Sequence, residues 1–194
     1  SSAASDVYKR QICHGRLLGL VPKKNLPNYS EFYEMRHFEP ANEELDYIEY
    51  PGEEEQEWIP FGMQQIFYCP QMEGLTVAAE ICEDLWVPQP PSITHAIAGA
   101  NVIVNLSASD EITGKDSYRR NLVGGQSARL VCGYIYADAG EGESSTDLVF
   151  AAHNLIAENG TILAQSKRFE NEIVTADLDI HRIRACLLYT SDAA

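Results

Sequence analysis

The sequence predicts an α/β protein with a mixed β-sheet, and two observations support that class. Strand-like and helix-like apolar stretches alternate between residues 75 and 137, which is typical of parallel strands joined by helices. Asn159-Gly160 then lies between two apolar runs, which is a strong signal for an antiparallel hairpin. With 194 residues, of which 45% are hydrophobic and 22% charged, the chain has enough apolar mass for one globular core.

The first part of the predicted sheet consists of alternating elements. Three apolar stretches are expected to be strands: Leu75 to Ile81, Asn101 to Leu106 and Gly133 to Ala137. Two stretches between them carry apolar residues at helical spacing: Ile93 to Ala100, with Ser92 as the expected N-cap, and Tyr118 to Val131. The polar stretch Ser107 to Lys115 is an expected loop.

The remaining elements are predicted strands and loops. Three further strands are expected: Leu148 to Ile156 and Thr161 to Gln165, which flank the Asn-Gly turn, and Ile173 to Leu178. Gly140 to Thr146 is polar and glycine-rich, which predicts a loop. Glu39 to Glu57, which contains the acidic run Glu53-Glu54-Glu55, is expected to be a solvated loop.

The charge of the chain argues against two classes of partner. The 14 Lys and Arg residues against 29 Asp and Glu residues give a formal net charge of -15. Affinity for nucleic acid depends largely on Lys and Arg, so no nucleic-acid partner is expected. No stretch approaches the roughly 20 apolar residues of a membrane span, so we predict a cytoplasmic protein without a membrane partner.

The five cysteines indicate neither a disulfide framework nor a metal site. Their number is odd, and no secretory leader is recognisable, so free thiols are expected. The Cys and His residues also lack the spacing of metal ligands, and no metal site is predicted.

The two ends of the sequence are expected to be non-native. Residues 1-11 (SSAASDVYKRQ) and 186-194 (CLLYTSDAA) lack hydrophobic periodicity and resemble translations of an adapter used to prepare sequencing libraries. The predicted organisation is therefore a non-native tail at 1-11, a partial domain at 12-185 and a second non-native tail at 186-194.

Cys82 is the candidate nucleophile because it follows the predicted strand that ends at Ile81. Side chains at such a strand exit lie at the carboxyl edge of a parallel sheet, where reactive groups are common. A small buried hydrophobe is the alternative interpretation of a lone cysteine. Glu83 and Asp84 are expected to raise the thiol pKa, so a cation from elsewhere is needed, and Lys23 and Lys24 follow another apparent strand exit.

Several long segments of the chain carry a family resemblance. They read VPKKNLPNYSEFYEMRHFEP, EICEDLWVPQPPS, AGANVIVNLSASDEITGK, QSARLVCGYIYADAGEGESSTDL and IAENGTILAQSKRF. Together they resemble the glutaminase domain of glutamine-dependent NAD synthetases, a branch of the nitrilase superfamily. The resemblance implies an α/β fold of the nitrilase type, a four-layer αββα sandwich, here incomplete at both ends.

The resemblance also implies roles for individual residues. Cys82 in EICED matches the nucleophile, and Lys23 matches the catalytic lysine of a Glu-Lys-Cys set, with Lys24 as the competing candidate. Glu34 matches a supporting glutamate, and a surface glutamate is the alternative. The positions that match substrate-binding residues are Tyr29, Glu83, Ser109 and Lys115.

The implied function is hydrolysis of the L-glutamine amide, with the ammonia passed to a synthetase domain of the same parent chain. That domain would make NAD from deamido-NAD with ATP and Mg. No cofactor is expected in the present chain. The resemblance also implies a homo-oligomer. The general-base glutamate of the family lies upstream of the lysine, and residues 12-20 contain no glutamate, so the chain is predicted to be inactive. The alternatives are a free-standing nitrilase-type amidase or carbamoylase and a non-catalytic interaction module.

Overall fold

The computed structural model describes residues 8-51, 56-145 and 147-192. These residues form ten strands: β1 (Tyr8–Cys13), β2 (Arg16–Pro22), β3 (Asp46–Pro51), β4 (Gln56–Phe61), β5 (Phe67–Tyr68), β6 (Thr76–Ile81), β7 (Val102–Ser107), β8 (Gly133–Asp138), β9 (Leu155–Glu158) and β10 (Thr161–Gln165). They also form three α-helices: α1 (Pro91–Ile97), α2 (Lys115–Leu130) and α3 (Ile180–Asp192). Short 3-10 turns occupy Glu34–Arg36, Cys82–Leu85 and Glu141–Glu143.

A six-stranded mixed sheet forms the centre of the molecule, in the order β10-β9-β8-β7-β6-β5. Strands β6, β7 and β8 are parallel, whereas β5, β9 and β10 pair antiparallel to their neighbours. The carboxyl ends of the parallel strands meet at one edge of the sheet. This edge holds the polar side chains of the site described below.

Helices pack on both faces of this sheet. Neighbouring side chains of a strand point to opposite faces, so an apolar strand presents apolar side chains to both helix layers. Ala78 and Ile103 pack in a buried cluster with Val123 of α2. Val102, next to Ile103, belongs instead to a second cluster with Ile183 of α3. The apolar character of both faces is what a parallel strand between two layers requires.

A second, four-stranded sheet has the order β1-β2-β4-β3. β2 and β4 are parallel, with Leu20 opposite Phe61, and the other two pairs are antiparallel. Strands β1 and β2 contact β6 of the larger sheet, and Leu20 and Val21 are buried there. The end of β2 is thereby placed near the end of β6.

The predicted α/β class with a mixed sheet is confirmed, including the parallel order of the three central strands. The Asn-Gly hairpin is also confirmed, because Asn159 (φ 42°) and Gly160 (φ 87°) take the left-handed conformation that its turn needs. Its first strand begins later than predicted, at Leu155. Before it, Phe150 makes only an isolated bridge with Asp110.

The loop predicted at Glu39 to Glu57 is wrong in its second half. β3 and β4 pair there, with Ile48 opposite Ile59, and Ile59 is buried. Apolar and acidic residues alternate in these two strands, and Glu49 and Glu57 occupy exposed positions. The acidic residues made the segment resemble a solvated loop. The acidic run at 53-55 lies outside the described residues.

The strand predicted at Ile173 to Leu178 is also wrong. The segment shows alternating exposure but pairs with no strand among the described residues. Leu178 packs in the cluster with Val102, whereas Ile173 is 93% exposed. Alternation in the sequence therefore indicated an extended backbone but not a hydrogen-bonded neighbour.

Two helix predictions and one loop prediction need smaller corrections. Ser92 is not an N-cap, because α1 begins at Pro91 after Pro90, and Ser92 is buried inside the helix. The helix predicted from Tyr118 begins earlier, at Lys115, where Gly114 takes a left-handed conformation. Within the loop predicted at 140-146, residues 141-143 form a 3-10 turn, and Thr146 lies outside the described residues.

The predicted tails are continuous with regular elements where the structure describes them. Residues 8-11 belong to β1, and residues 186-192 belong to α3, a helix that the sequence did not predict. This placement does not determine where the residues come from, and the non-native assignment stays a prediction. Residues 1-7 and 193-194 lie outside the described part of the chain.

Cys13, Cys69, Cys82 and Cys132 are free thiols. Among the helices that the described residues form, none combines the length and apolar character needed to cross a membrane.

Candidate active site

Cys82 lies at a sharp turn where the chain leaves β6. Its backbone takes a left-handed conformation (φ 46°), which is unfavourable for a residue with a Cβ atom, and the 3-10 turn Cys82–Leu85 follows. Asp84 closes the turn, because its carboxylate accepts the N–H of Ile81 (3.0 Å) and the N–H of Asn25 (2.8 Å). The second contact ties this turn to the chain that follows β2.

Lys23, the first residue after β2, is 2% exposed, and its Nζ lies 2.5 Å from Oε2 of Glu34. Lys24 points elsewhere: its side chain is 38% exposed and pairs with Glu43 at 3.1 Å. The side-chain alternation of an extended chain separates the two neighbours in this way. Of the two lysine candidates, the structure therefore places Lys23 in the interior with Glu34.

Burial raises the pKa of the Cys82 thiol, and the positive charge of Lys23 offsets part of that rise. A hydrogen bond from the backbone of Ala108 also lowers the pKa. The raised thiol pKa agrees with the prediction, but its main cause is burial rather than the adjacent Glu83 and Asp84. Cys82 is therefore a neutral thiol at rest near pH 7, and attack by its sulfur requires a base.

Tyr29 and Glu83 meet at the mouth of the site. The Tyr29 hydroxyl donates to Oε2 of Glu83 at 3.1 Å. Partial burial raises the pKa of Tyr29 to about 12, with the Glu83 charge as the next cause. Burial likewise raises the pKa of Glu83, whereas its hydrogen bond from Tyr29 lowers it. The tyrosine therefore remains a neutral donor, and the carboxylate is held in place.

Ser109, which follows β7, and Lys115, the first residue of α2, reach the same region. The N–H of Ser109 donates to Oδ1 of Asp138 at 3.0 Å. Lys115 forms an ion pair with Asp110, and its Nζ also lies 5.3 Å from the centroid of the Trp86 ring. The carboxylates of Glu83 and Asp110 and the ammonium of Lys115 thus lie around one opening.

A small cavity of about 90 Å³ joins these groups. Its walls contain five of the seven predicted site residues, namely Tyr29, Cys82, Glu83, Ser109 and Lys115. Lys23 and Glu34 do not line it, although the Lys23 charge acts on Cys82. A larger cavity of about 620 Å³ lies between the end of α1 and α3, and it contains none of the predicted site residues.

Some residues of the site region were missed by sequence reasoning. Asn105 accepts the N–H of Cys82 at 2.9 Å, and Arg119 is fully buried with its guanidinium 3.4 Å from Oγ of Ser109. Lys9 is buried next to β6, where its Nζ donates to the backbone oxygen of Glu80 at 2.7 Å. A lone polar residue inside an apolar strand was the available signal for Asn105, and Lys9 falls in a predicted tail.

Within the described ranges, no group of three or more His, Cys, Asp or Glu side chains could hold a metal ion. The acidic residues around Cys82 are paired with Tyr29, Lys115 and backbone N–H groups instead.

Comparison with known proteins assigns the family. The carbon-nitrogen hydrolase family model matches residues 14-186. This chain belongs to the carbon-nitrogen hydrolase family. The match covers the six-stranded sheet, the strands β2, β3 and β4 of the smaller sheet and all the predicted site residues. The resemblance seen in the sequence motifs is therefore confirmed at the level of the family.

Among relatives of this carbon-nitrogen hydrolase, the glutamine-dependent NAD(+) synthetase of Mycobacterium tuberculosis is 42% identical over 176 residues, which are 90% of this chain and 25% of the relative. The chain thus spans about a quarter of the length of the synthetases it matches. A glutamine-dependent NAD(+) synthetase structure from Cytophaga hutchinsonii has a TM-score of 0.64 at 24% identity, covering 84% of this chain and 27% of that one.

The nitrilase-type α/β fold is also confirmed for this carbon-nitrogen hydrolase. An amidase of the nitrilase superfamily from Nesterenkonia superposes with a TM-score of 0.61 at 16% identity, covering 91% of this chain and 58% of the amidase. The two mixed sheets and three α-helices of the described residues are consistent with the predicted αββα sandwich.

Proposed function

We propose that this chain is the glutamine-hydrolysing part of a glutamine-dependent NAD synthetase and that Cys82 is its nucleophile. The observation that carries the proposal is a buried cysteine at the exit of β6 under the electrostatic influence of a buried lysine, Lys23, which is itself bonded to Glu34. Membership of the carbon-nitrogen hydrolase family supports amide hydrolysis, and identity of 42% to a synthetase supports glutamine as the amide.

The proposed first step is attack of the Cys82 sulfur on the side-chain amide carbon of glutamine. A C–S bond forms, the thiol proton passes through a carboxylate to the departing nitrogen, and ammonia leaves a glutamyl thioester. Water then cleaves the C–S bond, which releases glutamate and regenerates the thiol. The soft sulfur nucleophile splits one difficult hydrolysis into two easier steps.

Lys23 has two tasks in this proposal. Its charge stabilises the developing thiolate, and its ammonium supports the negative oxygen of the tetrahedral intermediate. The N–H of Glu83 is the proposed second donor to that oxygen, since the N–H of Cys82 is already bonded to Asn105. One such donor typically contributes about a hundredfold to a thousandfold in rate. Glu34 fixes the position of the Lys23 ammonium.

The charged head of an amino acid fits the groups at the opening of the cavity. We assign the α-ammonium to the Glu83 carboxylate, which Tyr29 orients, and the α-carboxylate to Lys115, with Ser109 as an added hydrogen-bond partner. Lys115 would exchange its present partner Asp110 for the substrate. A neutral short amide would satisfy neither charge.

The ammonia would be consumed by a synthetase domain in a longer parent protein, because the relatives are synthetases about four times as long as the matched segment. ATP and Mg belong to that proposed domain. A cytoplasmic, homo-oligomeric parent is part of the same proposal. The family resemblance places the general base upstream of Lys23, and residues 12-20 contain no glutamate, so we propose that the 194-residue chain alone is nearly inactive.

The test uses the parent protein with Cys82→Ala. We expect loss of glutamine-dependent NAD formation and retention of NAD formation from free ammonia. Cys132→Ala is the matched control, because Cys132 is also a buried free cysteine but lies in the core cluster. Full glutamine use by the Cys82 variant would refute the assignment of the nucleophile.

A substrate comparison separates this function from that of a free-standing amidase or carbamoylase. The parent protein is supplied in turn with glutamine, short neutral amides and N-carbamoyl compounds, and ammonia release is measured. Glutamine is expected to give the highest kcat/KM. Preference for a neutral amide would refute the proposed recognition by Glu83 and Lys115.

A further inference from the structure

The left-handed conformation of Cys82 needs a structural cause. A residue with a Cβ atom adopts a positive φ only when its surroundings fix it there, and Cys82 has a φ of 46°. The turn that follows is held by Asp84, but the Asp84 contacts reach Ile81 and Asn25 rather than Cys82 itself. The N–H of Cys82 has a different partner.

That partner is Asn105 on β7, the strand next to β6. Its Oδ1 accepts the N–H of Cys82 at 2.9 Å and the hydroxyl of Ser107 at 2.8 Å. Asn105 is 1% exposed, so these bonds are made without competition from water. Loss of the side-chain oxygen would leave the Cys82 N–H without this acceptor in the interior.

Asn105 is itself held by a chain of buried polar groups. Its Nδ2 donates to the Tyr134 hydroxyl at 3.1 Å, and the Tyr134 hydroxyl donates to the carboxylate of Glu80. The other Glu80 oxygen accepts the N–H of Ser92 on α1 at 2.9 Å. The chain thus connects α1 and three neighbouring strands to the backbone of Cys82. Such buried networks rigidify a core when every member has a partner.

We infer that Asn105 is a positioning residue that holds Cys82 in its left-handed conformation, and that Tyr134 and Glu80 hold Asn105. The network sets the direction in which the sulfur leaves β6 and keeps it within reach of the Lys23 charge. It also removes the N–H of Cys82 from the set of possible oxyanion donors. This role rests on the proposed function only where turnover is concerned, because the geometry of the turn can be measured without substrate.

The first experiment measures hydrogen exchange of the Cys82 amide by NMR in the 194-residue chain. Asn105→Ala is expected to accelerate this exchange by about tenfold or more, because the Oδ1 that accepts the Cys82 N–H is removed. Asn105→Asp keeps an acceptor oxygen for the Cys82 amide but loses the Nδ2 donor to Tyr134, so it is expected to accelerate the exchange by no more than about threefold, less than Asn105→Ala does. The matched control is Asn101→Ala at the other end of β7, a buried asparagine bonded to Thr76 and Gly74, which should leave Cys82 exchange unchanged.

The second experiment measures turnover of glutamine by the parent protein. Asn105→Ala is expected to lower kcat by about 10-fold to 100-fold while KM stays within about twofold, since misplacement of a nucleophile costs rate rather than substrate binding. Asn101→Ala is expected to leave both constants unchanged. A merely structural role for Asn105 would lower the melting temperature without this separation of kcat from KM.

The outcomes separate the two proposals. Unchanged Cys82 exchange in a folded Asn105→Ala chain would overturn the positioning role, whatever the substrate is. Equal acceleration in the Ala and Asp variants would overturn it as well. If Asn105→Ala does not fold, Tyr134→Phe removes one oxygen from the network and should still accelerate Cys82 exchange; no acceleration there refutes the role. Full glutamine turnover by Cys82→Ala would refute the proposed function instead and leave the exchange result standing.

Discussion

Lys9 allows a direct measurement of the cost of burying a cation beside β6. The residue is 6% exposed, and its Nζ donates to the backbone oxygen of Glu80 at 2.7 Å. Burial lowers the pKa of Lys9 from 10.5 to about 7, and the negative charges of Glu80 and Asp84 oppose this shift. The folded chain therefore binds this proton much more weakly than the unfolded chain does.

The sign of the pH effect follows from those two values. Between about pH 7 and pH 10.5 the unfolded chain carries a proton that the folded chain has released, so the free energy of unfolding rises with pH. The linkage relation gives a gain of about 3 kcal/mol from about pH 6 to about pH 9. No gain from this group is expected well below pH 7, where both states are protonated.

The perturbation is Lys9→Met, which keeps the length and the apolar stem but removes the charge. We expect the variant to be more stable at about pH 6, although it loses a hydrogen bond worth about 1 kcal/mol. The assay is urea unfolding of both proteins at about pH 6 and about pH 9, and the difference between them cancels the other titrating groups. The stability advantage of Lys9→Met over the wild type should shrink by about 3 kcal/mol between about pH 6 and about pH 9.

Lys167→Met is the matched control, because the Lys167 side chain is 76% exposed and its loss should change the free energy of unfolding by less than about 1 kcal/mol. A stability difference for Lys9→Met that stays constant between the two pH values would refute the reasoning. It would mean that the Lys9 ammonium is solvated in the folded protein.

Three further predictions concern the site. Glu34→Gln removes the partner of Lys23 and should lower kcat of the parent protein about tenfold or more with little change in KM; an unchanged kcat would contradict the role. Tyr29→Phe should raise KM for glutamine about fivefold with kcat retained, because Glu83 loses its orienting donor, and equal KM values would argue against it. Arg119→Lys should lower the free energy of unfolding by about 3 kcal/mol in urea, since lysine cannot replace a buried guanidinium fork; a loss below about 0.5 kcal/mol would contradict this.

The sequence predicted the elements whose patterns are local. The strand exit at Cys82 and the Asn159-Gly160 hairpin follow from alternation and turn chemistry within a few residues, and both are present. The strands β3 and β4 were missed because acidic residues on the exposed face interrupted the apolar pattern. The family motifs supplied Lys23 and Glu34, whose pairing across eleven residues has no local signal.

The remaining parts of the site depend on tertiary packing. Asn105 is one polar residue in an apolar strand, and only the neighbouring strands reveal that it accepts the Cys82 N–H. The cause of the raised Cys82 pKa is burial, which adjacent sequence does not report. The sequence around Arg119 does not indicate that this residue is buried, yet its guanidinium hydrogen-bonds to Glu111 and Ser109 in the interior.

The two candidate reactive groups belong to different sheets, since Lys23 follows β2 of the four-stranded sheet and Cys82 follows β6 of the six-stranded sheet. The bond between the Asn25 backbone and Asp84 joins the same two loops across that boundary. The extent to which the Cys82 thiol ionises therefore depends on how the four-stranded sheet is docked against the six-stranded sheet. A partly folded chain with both sheets formed but undocked would keep its secondary structure and lose the charge that stabilises the thiolate.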